Sequence, residues 1–244
     1  MSSCKISLPN ISSTSVSKRS SDVKEMFSRI ASRYDFANSV LSFGIHKLWR
    51  RQLLNLLPSN LNARTLDLCS GTGDLLAPLG KRFGNVVGAD FCFPMLLRSR
   101  ERSSGGFPLI QGDALRLPFM DESFDLVTVA FGVRNFENLR SGLREINRVL
   151  KPKGKLLVLE FGQPNGLVFG PLYRMYSKFV LPFLGGLLTG DRTAYEYLPS
   201  TAATFPAGKM FESELQSSGF SVSEVKELTF GVAYAYLAES TAKV

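Results

Sequence analysis

A chain of 244 residues, 44% hydrophobic and 20% charged, has the composition of an ordinary globular protein and can bury one sizeable core. Three cysteines with no CxxC pair and a single histidine exclude a disulfide framework and give no zinc-ligand spacing, so a reducing compartment and no metal are expected. The net charge of +8 admits attraction to nucleic acid or to an anionic membrane surface; no aromatic-interleaved basic run is present, so nucleic acid is not the expected partner.

Residues 1–21 hold nine serines, three basic residues and no acidic one. Such a stretch lacks the apolar material to pack and is expected to be a disordered tail or, from its resemblance to a transit peptide, a targeting segment. Ordered sequence begins near Ser21-Asp22, with Asp22 a candidate N-cap and Val23, Met26, Phe27 and Ile30 at helical spacing. Tyr34–Arg51 follows, with a turn at Ser42-Phe43-Gly44, and a helix carrying Leu48, Trp49, Leu53, Leu54 and Leu57 stops at Pro58. Residues 22–60 thus read as a helical preface to a single domain spanning 22–244.

From Arg64 short apolar runs alternate with helical stretches. Strands are expected over Thr65–Cys69, Asn85–Asp90, Phe107–Gln111, Phe124–Phe131 and Lys155–Phe161, and helices over Asp74–Phe83, Pro94–Arg102 and Leu139–Leu150. Pro78 is awkward in the first of those helices unless it starts late. This alternation calls for an α/β fold, a doubly wound, mostly parallel sheet with helices on both faces. Asn165–Gly190 breaks the rhythm: Leu167–Leu188 is rich in Phe, Leu, Tyr and Val, yet its longest uncharged piece is too short to span a bilayer. Around it, residues 165–200 read as an apolar, lid-like insertion. A helix over Phe211–Ser217 precedes two closing strands, Phe220–Val225 and Leu228–Leu237, expected as an antiparallel edge hairpin that makes the sheet seven-stranded.

Ligands of open α/β sheets bind outside the carboxyl ends of the strands, and three acids fall there: Asp67, Asp90 and Asp113. Gly71-Thr72-Gly73 allows close backbone approach to a ligand. A dinucleotide fingerprint needs a third small residue where this chain has Leu76, which counts against hydride transfer. Asp67 suits an ammonium group, Asp90 suits ribose hydroxyls, and Asp113 with Ala114 is placed to read an adenine amino group. Together they fit S-adenosyl-L-methionine. Each piece alone has a duller reading, as a tight turn or a helix cap.

Longer motifs flank this core. Tyr34-Asp35-Phe36-Ala37-Asn38 leads to Leu41-Ser42-Phe43-Gly44-Ile45-His46-Lys47-Leu48-Trp49, and Phe131-Gly132-Val133-Arg134-Asn135 follows the fourth strand. Arg148-Val149-Leu150-Lys151-Pro152-Lys153-Gly154, Leu157-Val158-Leu159-Glu160-Phe161 and Ala194-Tyr195-Glu196-Tyr197-Leu198 complete the set. The chain resembles the ubiquinone and menaquinone biosynthesis C-methyltransferases from Val23 to Leu237. The resemblance implies a Rossmann-like class I methyltransferase fold and C-methylation of a prenylated quinol, such as demethylmenaquinol or demethylphylloquinol. A methoxy-benzoquinol or another lipid or small molecule is the alternative. It implies donor contacts at Thr72, Asp90, Asp113 and Ala114, and places Ala130 where the family often has serine. In this family's chemistry a quinol oxygen must lose its proton, which makes Arg134 the first candidate, for stabilising the oxyanion or ordering a water that takes the proton, with a structural salt bridge as the competing account; His46 is the second candidate, with capping or packing as its competing account. Tyr34, Asp35 and Asn38 are expected to close over the site, with helix capping by Asp35 as the competing account. A cytoplasmic protein peripheral at a membrane surface is the expected setting, or a chloroplast one if the serine-rich segment is a transit peptide. Oligomeric state is left open.

Overall fold

The computed structural model describes residues 19–57, 63–104 and 106–241. The expectations placed on 1–18 and on Pro58 lie outside them. A seven-stranded sheet runs β3-β2-β1-β4-β5-β7-β6 among the described residues. Its strands are β1 (Thr65–Leu68), β2 (Val86–Asp90), β3 (Leu109–Gln111), β4 (Phe124–Ala130), β5 (Leu150–Phe161), β6 (Phe220–Leu228) and β7 (Ala233–Ser240). β1 to β5 pair in parallel, while β7 runs antiparallel to both β5 and β6.

Period-two alternation in the central strands feeds a core on each face. Leu156 and Val158 of β5 join Leu66, Leu68, Val127 and Val129 on one side; Leu157 and Leu159 join Leu126 and Leu237 on the other. Helix α6 (Leu139–Val149) covers the first face with Leu143, Ile146 and Val149, one every three residues, and Asn138 caps it by accepting from Ser141 N–H at 2.9 Å. Helices α3 (Ile45–Leu54) and α4 (Leu76–Phe83) cover the second face with Trp49, Leu53, Leu76 and Leu79.

Several boundaries differ from those expected. α4 starts at Leu76 rather than Asp74, which puts Pro78 in its first turn, where its missing N–H costs no helical hydrogen bond. β5 begins at Leu150, so the preceding helix ends one residue early and the strand absorbs the Lys151–Gly154 corner. The closing hairpin turns at Thr229–Gly231 rather than near Val225, and all three of those residues have positive φ. Asp22 lies in the first turn of α1 (Ser20–Ile30) rather than at its cap.

A third cluster joins the two ends of the sequence's irregular parts. Met26 and Ile30 of α1 and Ala37 and Leu41 of α2 (Tyr34–Leu41) pack with Leu181 of α8 (Leu181–Thr189) and with Ala194 and Tyr195 of α9 (Arg192–Thr204). The helical preface and the apolar insertion therefore form one cap. Between β5 and α8 the insertion runs as α7 (Phe169–Met175) and a π-helical stretch, Tyr176–Val180. Gly185 lets α8 approach α9 closely, since a Cβ there would sit 2.2 Å from the Tyr195 ring. No helix among the described residues is long and apolar enough to cross a membrane.

Candidate active site

β1 sits at the point where the strand order reverses, with β2 on one side and β4 on the other, so a crevice opens beyond their carboxyl ends. The loop after β1 turns sharply, with Cys69 (φ 56°), Gly71 (φ 54°) and Gly73 (φ 83°) all left-handed. A Cβ on Gly73 would come 2.4 Å from Ser99 Oγ of α5 (Phe93–Arg102), so only glycine fits there. Gly71 has open space over its Cα, as a surface meant for close approach requires. At the end of β2, Asp90 accepts Gly71 N–H at 2.9 Å through Oδ2 and Cys92 N–H at 2.8 Å through Oδ1. Burial pushes its carboxyl up to about 6, against the pull of those backbone donors.

The resulting cleft is lined by Gly71, Asp90, Asp113, Ala114 and Ala130 together with the apolar side chains of Phe91, Met95 and Phe136. Asp113 shapes its own turn by accepting Leu115 N–H at 2.9 Å. Five of the eight expected donor-binding residues thus converge. Thr72, Gly73 and Asp67 stand behind the cleft wall. The last is buried in β1, accepting from Thr128 Oγ1 at 2.7 Å, and burial raises its carboxyl to about 7. Its folded-state pKa lies above the unfolded value, so its contribution to stability falls as pH rises from about 4 to about 7. Asp67→Asn keeps an acceptor for Thr128 and removes that titration. Thermal melts should show the variant gaining on wild type by on the order of 5 °C between pH 5 and pH 8; an unchanged difference overturns this.

Thr72 and Asp35 meet instead in a polar network that fastens the cap to the glycine loop. Thr72 Oγ1 donates to Asp35 Oδ1 at 2.5 Å, and Arg102 Nη1 donates to Asp35 Oδ2 and to Thr72 Oγ1, both at 2.9 Å. Arg102 Nη2 reaches Asp74 Oδ1 at 2.9 Å, and Arg50 stands 3.0 Å from the other Asp74 oxygen. Burial pushes the Asp74 carboxyl up, but Arg50 and Arg102 outweigh it and hold it below the ordinary range. Asp35 makes no capping bond to α2; it ties α2 to the loop.

A second, larger cavity lies under the cap, and Tyr34 and Phe131 line both spaces. Its walls are mostly apolar: Trp49, Phe131, Phe161, Phe169, Tyr173 and Leu198 contribute. Phe131 takes a left-handed φ of 60°, stacks obliquely on Phe161 (centroids 4.5 Å apart), and lies 6.1 Å from Trp49. Such strain at the end of a central strand fits a residue whose direction matters. Trp49, expected as core, is at once core and cavity wall, fixed by its Nε1–H donating to Thr229 Oγ1 at 2.8 Å.

Three expected catalytic residues reach this cavity. Arg134, 2% exposed, sits in the short 3-10 turn Val133–Asn135 and pairs with Glu160 at 2.9 Å. Its guanidinium lies 5.2 Å from the Phe161 ring centre, and Nη1 also donates to the Phe131 carbonyl. Tyr34 is held protonated by burial, with Arg134 pulling the other way. His46 Nδ1 stands 2.5 Å from Ser42 Oγ, whose own hydrogen goes to the Asn38 carbonyl at 2.6 Å. With the hydroxyl hydrogen assigned to the Asn38 carbonyl, His46 carries its proton on Nδ1 and keeps the Nε2 lone pair. Burial and the nearby Arg50 lower its pKa to about 4, so the ring is neutral at physiological pH.

Glu160, Arg102 and Asp74 escaped the sequence reading as site residues. Only Glu160 carried a usable signal, a carboxylate inside the apolar run Leu156–Phe161, which needs a buried partner.

A parallel sheet of this order with an inserted antiparallel β7, a glycine turn after β1 and an acid closing β2 define the Rossmann-like class I methyltransferases. Solved structures agree on the fold. A SAM-dependent methyltransferase from Thermotoga maritima matches at TM-score 0.65 and 19% identity over 89% of this chain and 99% of its own. A phosphoethanolamine N-methyltransferase from Haemonchus contortus, solved with S-adenosylhomocysteine, matches at TM-score 0.58 and 18% identity over 79% of this chain and 53% of its own. The chain belongs to the ubiE/COQ5 methyltransferase family, which it matches over residues 14–239. It is 47% identical over 213 residues to the demethylmenaquinone methyltransferase of Thermus thermophilus, covering 85% of this chain and 96% of that one. It is 42% identical over 221 residues to a ubiquinone/menaquinone biosynthesis C-methyltransferase of Bdellovibrio bacteriovorus, covering 88% and 94%. It is a methyltransferase that uses S-adenosyl-L-methionine.

Proposed function

We propose that the protein methylates a ring carbon of a prenylated quinol, demethylmenaquinol or demethylphylloquinol first. The observation that carries this reading is the junction of two cavities at Tyr34 and Phe131, one polar-edged at the strand ends and one large and aromatic-walled. The first fits the methyl donor: Gly71 leaves room for close approach, Asp90 offers carboxylate lone pairs for ribose hydroxyls, and Asp113 with Ala114 frames an adenine edge. Asp67 and Thr72 support the loop from behind. When bound, the donor supplies an activated sulfonium methyl.

The chain's own residues then have two tasks. A quinol carbon becomes nucleophilic as its hydroxyl loses a proton, and Arg134 stabilises the oxyanion that forms. The ring proton displaced at the methylated carbon leaves to a base, and neutral His46, with its free Nε2, is the acceptor; a weak base suffices because that proton leaves as aromaticity returns. The hydroxyl proton passes to water; one C–C bond forms as one S–C bond breaks, and the ring proton taken by His46 returns to the quinol oxygen, so one proton is released in all. Tyr34 and Phe131 separate the two cavities and align ring and donor.

The experiment is direct: purified protein, S-adenosyl-L-methionine and reduced demethylmenaquinol, demethylphylloquinol or methoxy-benzoquinol, with products read by mass spectrometry. A naphthoquinol gaining one methyl supports the reading; turnover of the benzoquinol alone, or of none, rejects it.

The exposed apolar side chains Phe43, Leu172, Phe179, Phe183 and Phe230 belong to the cap and the β6–β7 turn, and Phe43 and Leu172 also line the second cavity. With the basic charge, they suit a peripheral protein that takes a lipid-tailed substrate from a membrane surface. Co-sedimentation with anionic liposomes at low salt should be strong and should weaken with salt; no binding at low salt rejects the electrostatic part.

A further inference from the structure

Glu160 lines neither cavity, yet it governs a residue that lines one. Its side chain is fully buried in β5, where Oε1 accepts Phe161 N–H and Arg134 Nη1, each at 2.9 Å, and Oε2 accepts Arg134 main-chain N–H at 3.2 Å. The carboxylate thus holds both the backbone and the side chain of Arg134. Stability alone is a weak reason for such a pair, since apolar replacements of buried ion pairs are often neutral or better.

The hydrogen bonds of Arg134 are lopsided. Nη1 is saturated by Glu160 and the Phe131 carbonyl, whereas among the described residues Nε is buried without a partner and Nη2 donates to no protein atom. The guanidinium is also pinned over the Phe161 ring at 5.2 Å. One nitrogen of a planar fork is therefore clamped while Nη2 has donors to spare in a residue that lines the second cavity.

We propose that Glu160 is a positioning residue for methyl transfer: it fixes the rotation of the Arg134 guanidinium so that Nη2 meets the substrate oxygen as that oxygen becomes anionic. The inference rests on the second cavity being the quinol site. Preorganised donors stabilise charge without reorienting at the moment of reaction, and a carboxylate clamp supplies that fixity. Glu160→Gln removes the charge, and Glu160→Asp keeps it but withdraws it by one carbon.

The test pairs turnover with a binding readout that needs no methyl donor. 1-Naphthol, which is redox-inert here, is titrated into the cofactor-free protein and its ionisation followed by absorbance against pH. Burial disfavours the bound anion and Arg134 favours it, as at Tyr34, so proteins are compared with one another: bound naphthol should ionise about tenfold more readily in wild type than in Arg134→Met, because a cation stands within reach of its oxygen. In Glu160→Asp that enhancement should fall below about threefold, and kcat for the quinol should fall at least about tenfold while the KM for the donor stays within about twofold. The rising limb of the kcat–pH profile should move to higher pH, since an ill-placed cation no longer eases deprotonation. If Glu160→Gln does not fold, Glu160→Asp decides alone. A Glu160→Asp protein with wild-type kcat and naphthol ionisation overturns the inference, as does one whose donor affinity falls in step with kcat, the mark of a merely structural carboxylate. A wild-type protein that binds naphthol but methylates no quinol overturns the functional reading, and this inference with it.

Discussion

Arg134→Met should lower kcat by about 10²–10³-fold, the loss typical of removing one preorganised charge-stabilising donor. Methionine approximates the volume of the arginine stem, so cavity shape changes little. The same substitution leaves Glu160, fully buried, without its cation, at a cost of about 3–5 kcal/mol. In a chain of this size that amounts to roughly 10 °C in Tm. Kinetics must therefore be read below the lowered Tm, with donor affinity as the measure of intact fold. Adding Glu160→Leu to Arg134→Met should recover much of the stability and none of the activity, which separates the two losses. Near-normal kcat in the single variant would remove Arg134 from the mechanism and leave it a structural ion pair.

Asp90→Ala should weaken donor binding by about a hundredfold, as expected from losing hydrogen bonds to a charged acceptor. Two effects add. The ribose hydroxyls lose their acceptor, and the N–H groups of Gly71 and Cys92 lose theirs, so the glycine turn loosens as well. Asp90→Asn discriminates between them: it can still accept from one backbone donor but carries no charge, and should bind more tightly than the alanine variant and less tightly than wild type. Isothermal titration with S-adenosyl-L-methionine measures both. Wild-type affinity in Asp90→Ala would place the ribose elsewhere.

The strand ends were legible because local chemistry writes them. Leu66-Asp67-Leu68-Cys69-Ser70-Gly71-Thr72-Gly73 combines a buried strand with a turn that needs glycine at its last position, and Asp90 follows an apolar run that stops abruptly. Pro78 even signals where α4 must begin. The cap was not legible, since α1 and α8 lie about 150 residues apart and nothing in either announces the other. The β6–β7 turn hides for a different reason. Thr229 and Phe230 adopt left-handed φ values of 47° and 56° under tertiary constraint, and neither residue type advertises that conformation. The partner of Arg134 lies 26 residues onward on a neighbouring strand, so the ion pair emerges only when β4 and β5 are side by side. Of the expected site residues, Asp67, Thr72, Gly73 and Asp35 line neither cavity, and Glu160, which holds Arg134, was not among them.

Trp49 gives the protein a built-in optical label. It is the only tryptophan in the chain, it is 5% exposed, and it forms part of the wall of the second cavity. Fluorescence excited at the red edge of protein absorption therefore comes from a single indole, packed near Phe131 and Phe161 and bonded to Thr229. Its emission should be blue-shifted in the free protein. A quinone, being an electron acceptor, should quench it on entering that cavity, so occupancy could be followed in real time without modifying either partner.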